Sequence, residues 1–165
     1  MFVVVALQVL TALTYVIVPL VGHRYGTAAQ QAAETEIRRQ GHAPALLVKH
    51  GLDFTAGTAS VVVSMLIAAD LAALAVLNLG DQPLFTWILQ PILLIAGGFV
   101  TTTQVFVDRY VERALSKSGT TTIDTKALMG AAKETFPGWF RPLVMTRFLL
   151  TTAGSLAILV SLAVS

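Results

Sequence analysis

The chain has 165 residues, 55% hydrophobic and 12% charged, with a formal charge of +2 and no cysteine. A mean hydropathy of +0.75 excludes an ordinary soluble globular domain. The lack of cysteine excludes disulfides, thiolate nucleophiles and thiolate metal sites, and so modest a charge gives no support to a nucleic-acid partner.

Four stretches reach the roughly 20 apolar residues needed to cross a hydrocarbon layer: about 2–21, 54–77, 84–107 and 143–164. The chain therefore reads as an all-α polytopic membrane protein, a single domain over 1–165 whose four transmembrane helices form two hairpins. Segments 22–53 and 108–142 are polar, and "NLGDQP" (78–83) is a tight turn. All 11 Lys and Arg lie in the polar segments or at their edges. By the positive-inside rule these segments are cytoplasmic, which puts the turn and both termini outside. The expected location is the plasma membrane, crossed by every span. "MFVVVALQVL" has no basic n-region and no small-residue cleavage site, so it reads as a retained first span.

Span one carries Gln8 near its outer end and Pro19 near its inner end; a proline there releases the carbonyl four residues earlier, that of Tyr15. After it, "TAAQQAAETEIRRQG" (27–41) predicts a separate helix with Thr27 as N-cap, Glu34 four residues before Arg38 and Gly41 as a stop.

In span two, Gly57, Ser60, Ser64, Ala68 and Ala75 share one side at helical periodicity. Lipid tails give helices no hydrophobic drive to associate, so a small-residue seam of this kind lets backbones approach closely. Asp70 points away from the seam, about 12 Å below the outer boundary at 1.5 Å per residue. Gln8 and Gln90 lie at a similar depth, and Gln8, Asp70 and Gln90 form a candidate intramembrane polar site. A lipid-facing aspartate costs about 2.5–3.5 kcal/mol even on insertion scales. Either Asp70 faces the bundle interior while the seam meets another chain, or the reverse. Such a layer serves to bind a cation, to relay a proton or simply to fix helix register.

Span three contains Gln90 followed by Pro91, which releases the Trp87 carbonyl, and then Gly97 and Gly98. The runs "TTTQ" (101–104) and "TTT" (120–122) offer hydroxyls that bond back to their own backbone in membrane helices. "DRYVERALSKSG" (108–119) prolongs span three to Gly119. "DTKALMGAAKETF" (124–136) is helical with Leu128, Ala132 and Phe136 on one side, and "PGWFRP" leads into span four with aromatic anchors. Arg24, Arg109, Trp139, Arg141 and Arg147 are the expected lipid-interface residues. Gly154, Ala157 and Ser161 repeat the packing seam in span four.

His23 and His50 both fall at the inner interface. They are weak haem candidates, because haem ligands belong inside the apolar bundle, so no cofactor or metal is expected. "TAGTASVVVSML" (55–66) aligns with "TAGSLAILVSLA" (152–163), and "HRY" (23–25) with "DRY" (108–110). The two hairpins thus read as a parallel internal repeat.

The stretches "VFVDRYVERAL" (105–115) and "AAKETFPGWFRPLVMTRFLLTTAGSLAILV" (131–160), with the proline in "YVIVPLVGHRYGTAAQQA" (15–32), make the layout similar to the anthrone-oxygenase-like family of small four-span membrane proteins. Asp108 and Glu112 stand where that family carries paired asparagines, and its asparagine before Arg147 is missing. The resemblance implies a four-helix fold and, as one possibility, an oxygenase-like site of Trp139, Arg147, Asp108 and Glu112 near the inner interface.

Three functional expectations follow. The favoured one is a non-catalytic accessory or scaffold subunit that docks to other membrane subunits and to lipids. The second is a small cation- or proton-coupled transporter, a homo-oligomer around Asp70. The third is the membrane oxygenase-like enzyme, which lacks a clear acid, base or cofactor ligand.

Overall fold

The structure, a computed structural model, describes residues 2–116 and 123–164, and every regular element among them is helical. The predicted end of the prolonged span three at Gly119, Lys117 and the hydroxyl run 120–122 lie outside the described residues. The elements are α1 (Phe2–Arg39), α2 (Ala45–Lys49), α3 (Thr58–Leu79), α4 (Leu84–Val105), α5 (Val107–Ser116), α6 (Thr125–Glu134), α7 (Phe140–Leu149), a π-helical turn (Leu150–Gly154) and α8 (Ser155–Ala163). The last three run on as one helical column, 140–163. This column, α1, α3 and α4 are each long and apolar enough to cross a membrane.

The predicted break before Thr27 does not occur. α1 is one helix of 38 residues, about 57 Å long at 1.5 Å per residue, and Pro19 lies inside it. One face explains its continuity: Val4, Gln8, Thr11, Tyr15, Val18, Gly26, Ala29, Ala33 and Ile37 are all buried, spaced so that they stay on one side of the helix. The same stripe serves two cores. Ala12 and Tyr15 pack with Ile67, Ala68, Leu71, Leu74 and Leu93. Ala29, Ala33 and Ile37 pack with Leu47, Leu52, Val111, Leu115, Leu128 and Ala132.

α1 ends where Gly41 was expected to stop it. Gly41 takes the left-handed conformation (φ 81°), and the N–H groups of His42 and Gly41 donate to the carbonyls of Ile37 and Arg38 at 3.0 and 2.9 Å. This closure satisfies carbonyls that the helix end would otherwise leave open. The turn after α3 closes in the same way with Asp81 at φ 55°: the Gln82 N–H reaches the Leu77 carbonyl at 3.1 Å. Aspartate is among the few side chains that tolerate this region.

Two predicted spans shift at the polar end. α3 starts at Thr58 rather than 54, because the Asp53 carboxylate accepts from the Thr55 N–H (2.8 Å) and hydroxyl (2.6 Å), an Asx-type turn that competes with helix. The Phe54 N–H is taken by the Gln30 side chain at 3.1 Å. α5 does not prolong α4: the backbone turns at Phe106 (φ −101°, ψ 22°). Only by leaving the α4 axis do Val111 and Leu115 reach the core shared with α1 and α6. That core is clipped shut by Gln40, whose side chain donates to the Asp124 carbonyl (3.2 Å) and accepts from its N–H (2.8 Å). Asp124 in turn caps α6 by accepting from the N–H groups of Lys126 and Ala127 at 3.0 Å.

Around the bundle the order is α3, α1, column, α4, with α4 returning to α3. In α3, Ser64, Ala68 and Ala75 are buried, on the side packed against α1. Gly57 and Ser60 are exposed, so the seam is shorter than expected because α3 has barely begun there. In the column Gly154 is buried and Ser161 half-buried. The residues aligned as a repeat occupy different settings: Gly57 is the N-cap of α3, whereas Gly154 lies inside the column.

Candidate functional site

A layer of neutral side chains crosses the bundle near the turn between α3 and α4. Asn78 Nδ2 donates to Gln8 Oε1 (2.9 Å) and to Thr86 Oγ1 (2.7 Å). Gln8 Nε2 donates to Gln90 Oε1 (3.3 Å), and Gln90 Nε2 to Ser155 Oγ (2.9 Å). All five residues are buried, and they come from α1, α3, α4 and α8. Each glutamine accepts through its carbonyl and donates through its amide, so the bonds form one directional chain. The Gln8–Gln90 link joins α1 and α4, which stand diagonally across the bundle.

The predicted polar site is thus assembled in part. Gln8 and Gln90 meet as their depth suggested, but Asp70 is exposed on the outer face of α3 and takes no part. Its place is held by Asn78, two helical turns further on. The reason is the direction of the α3 seam: Ser64, Ala68 and Ala75 turn inward, and Asp70 must then turn outward. The layer that results contains no titratable group, so it gives a proton relay nothing to protonate.

A second buried polar group lies on the other side of the Gln8 layer, toward the polar segments. Arg147, expected at the lipid interface, is fully buried. It belongs with Thr151, Ser155, Ile158 and Leu162 on the buried side of the column, a spacing that keeps them on one face. Its guanidinium carbon stands 4.9 Å from the centre of the Tyr15 ring, a cation–π arrangement. Nη2 donates to Gln104 Oε1, and Nε and Nη1 have no hydrogen-bond partner. The Tyr15 hydroxyl accepts from Thr151 Oγ1 at 3.2 Å. Gly97 makes room for this arrangement: a Cβ there would meet the Tyr15 hydroxyl and would lie 2.9 Å from the Thr151 methyl.

The other expected interface residues are exposed: Arg24, Arg109, Trp139 and Arg141. Arg24 and Arg109 lie over the rings of Tyr25 and Phe106, at 5.6 and 5.5 Å. The four residues of the oxygenase-like set do not share one environment. Arg147 is buried, Trp139 and Glu112 are exposed, and Asp108 accepts from Lys133 Nζ at 2.6 Å. His23 is exposed and His50 half-buried. Among the described residues no three of His, Asp and Glu gather as a metal site.

No family model, curated protein or solved structure matches the chain.

Proposed function

We propose that this chain is a non-catalytic integral membrane subunit that crosses the plasma membrane four times and docks through one face of α3 to another membrane protein. Exposed Asp70 carries the reading. It lies within an apolar 22-residue helix, and the exposed residues around it, Val62, Leu66, Ala69, Ala73 and Val76, form a stripe at helical spacing. Lipid leaves a carboxylate at that depth without a donor. A neighbouring helix that offers a lysine, arginine or amide supplies one, and Ala69 and Ala73 let the two backbones approach. The exposed Arg24, Arg109, Trp139 and Arg141 suit the second kind of partner, lipid headgroups at the basic side.

The test is purification from native membranes in mild detergent, followed by native mass measurement. A foreign subunit in fixed stoichiometry is expected with the wild type. Asp70→Asn, which still accepts a hydrogen bond, retains it, and Asp70→Leu loses it. A homo-oligomer with no foreign chain overturns the proposal and favours the carrier reading around Asp70.

A further inference from the structure

Arg147 and the cleft beside it lie toward the other end of α3 from Asp70, although Ala59 and Val63 share that residue's side of the helix. α3 and α4 are tied near their turn by the Asn78–Thr86 bond, but at their other ends they leave a cleft of about 280 Å³. Ala59, Ser60 and Val63 form one wall, and Phe99, Val100 and Gln104 the other. The cleft opens sideways, between two helices that each have the length and composition to cross a membrane, and its lining is mostly apolar. Its volume is near the lower end, about 300 Å³, of ordinary ligand pockets. That suits one alkyl chain better than the two of a phospholipid.

Behind the Gln104 wall is the buried guanidinium. Arg147 spends Nη2 on the Gln104 carbonyl and leaves Nε and Nη1 unsatisfied. Among the described residues no carboxylate forms an ion pair with it. A buried cation without a counter-charge is expensive, and ionisable residues inside a membrane bundle mark substrate and ion pathways. The acceptor already in place is a planar carboxamide, close in shape to a carboxylate. A carboxylate there would accept from Nε and Nη2 together, the paired edge that a guanidinium presents to two oxygens. It would also supply the missing negative charge.

We propose that the α3–α4 cleft binds a single-chain amphiphile with a carboxylate head group. The ligand enters laterally from the lipid phase, displaces the Gln104 carbonyl and pairs with Arg147. Ser60 and Val63 flank the alkyl chain, and Phe99 covers it.

The full chain in nanodiscs of zwitterionic lipid, titrated with radiolabelled laurate, tests this. Saturable binding to one site per chain is expected. Dodecanamide has the same chain without the charge, and acetate has the charge without the chain. Each should bind about tenfold more weakly or worse, the loss of one charge-assisted contact. Arg147→Gln should weaken laurate by a similar factor. Should that variant fail to fold, Ser60→Phe fills the cleft from an exposed position and keeps Arg147. It should abolish laurate binding with the helical circular dichroism spectrum unchanged. Laurate binding that survives Ser60→Phe overturns the proposal. So does dodecyl phosphate binding more tightly than laurate, which would assign the site to a phosphate head group.

Discussion

An alanine at position 26 destabilises the chain by about 2 kcal/mol, whereas an alanine at position 22, one turn earlier on the same helix, stabilises it by about 0.5–1 kcal/mol. The difference comes from what each new methyl meets. At Gly26 a Cβ would lie 2.8 Å from the Phe54 carbonyl oxygen, 3.0 Å from the Thr55 Cα and 3.3 Å from the Ala56 nitrogen. All three are backbone atoms, in a segment already held by Asp53 and Gln30. Relief requires the 53–57 segment to move away from α1, and that outweighs the gain in helix propensity. At Gly22 the nearest atom is the Ala56 Cβ at 3.6 Å, ordinary contact, so the propensity gain stands alone. Thermal or denaturant unfolding in detergent, followed by circular dichroism, should show midpoints moving in opposite directions. Equal shifts would mean that α1 and the 53–57 segment are not in close contact.

Gln90→Leu costs a comparable amount, about 2 kcal/mol, although leucine packs well in a membrane bundle. It removes the acceptor for Gln8 Nε2 and the donor to Ser155 Oγ. The serine hydroxyl can turn to its own backbone. The Gln8 amide has no such escape and is left buried and unpaired, at about 1–3 kcal/mol for such a group. Hydrogen bonds in membrane bundles average about 0.6 kcal/mol, so the orphaned donor dominates the loss. The double variant Gln8→Leu/Gln90→Leu removes the orphan with its partner and should cost about 1 kcal/mol less than the two single changes added together. Additive losses would show that the two glutamines do not bond in the folded protein.

Hydropathy alone locates the four long helices, because the roughly 20-residue requirement leaves few choices. What it misplaces is their polar ends. A window average cannot see that Asp53 holds Thr55 out of a helix, or that the α1 stripe continues as Ala29, Ala33 and Ile37 into a second core. The Gln8–Gln90 pairing is legible from depth, since both count a similar distance from the same boundary. Asn78 and Ser155 escape that count: one opens the turn motif and the other matches the seam motif. Their polarity is thereby already explained. A rule that counts charges and ignores direction puts Arg147 at the lipid interface. The signal that corrects it is its spacing with Thr151, Ser155, Ile158 and Leu162, all on the buried side. For Asp70 the sequence allows two directions, and only the packing of α3 on α1 selects the outward one.

The unbroken α1 makes the angular phase of one core the phase of the other. Ile67 and Leu71 meet α1 in one half, and Leu128 and Ala132 meet it in the other, with no loop between to absorb a mismatch. A single residue inserted near Gly22 would rotate everything beyond it by about 100°. Ala29, Ala33 and Ile37 would swing out of the second core while Tyr15 stayed in the first. The length of that helix between Tyr15 and Ala29 is therefore fixed to the residue, in a stretch where a linker would have tolerated insertion.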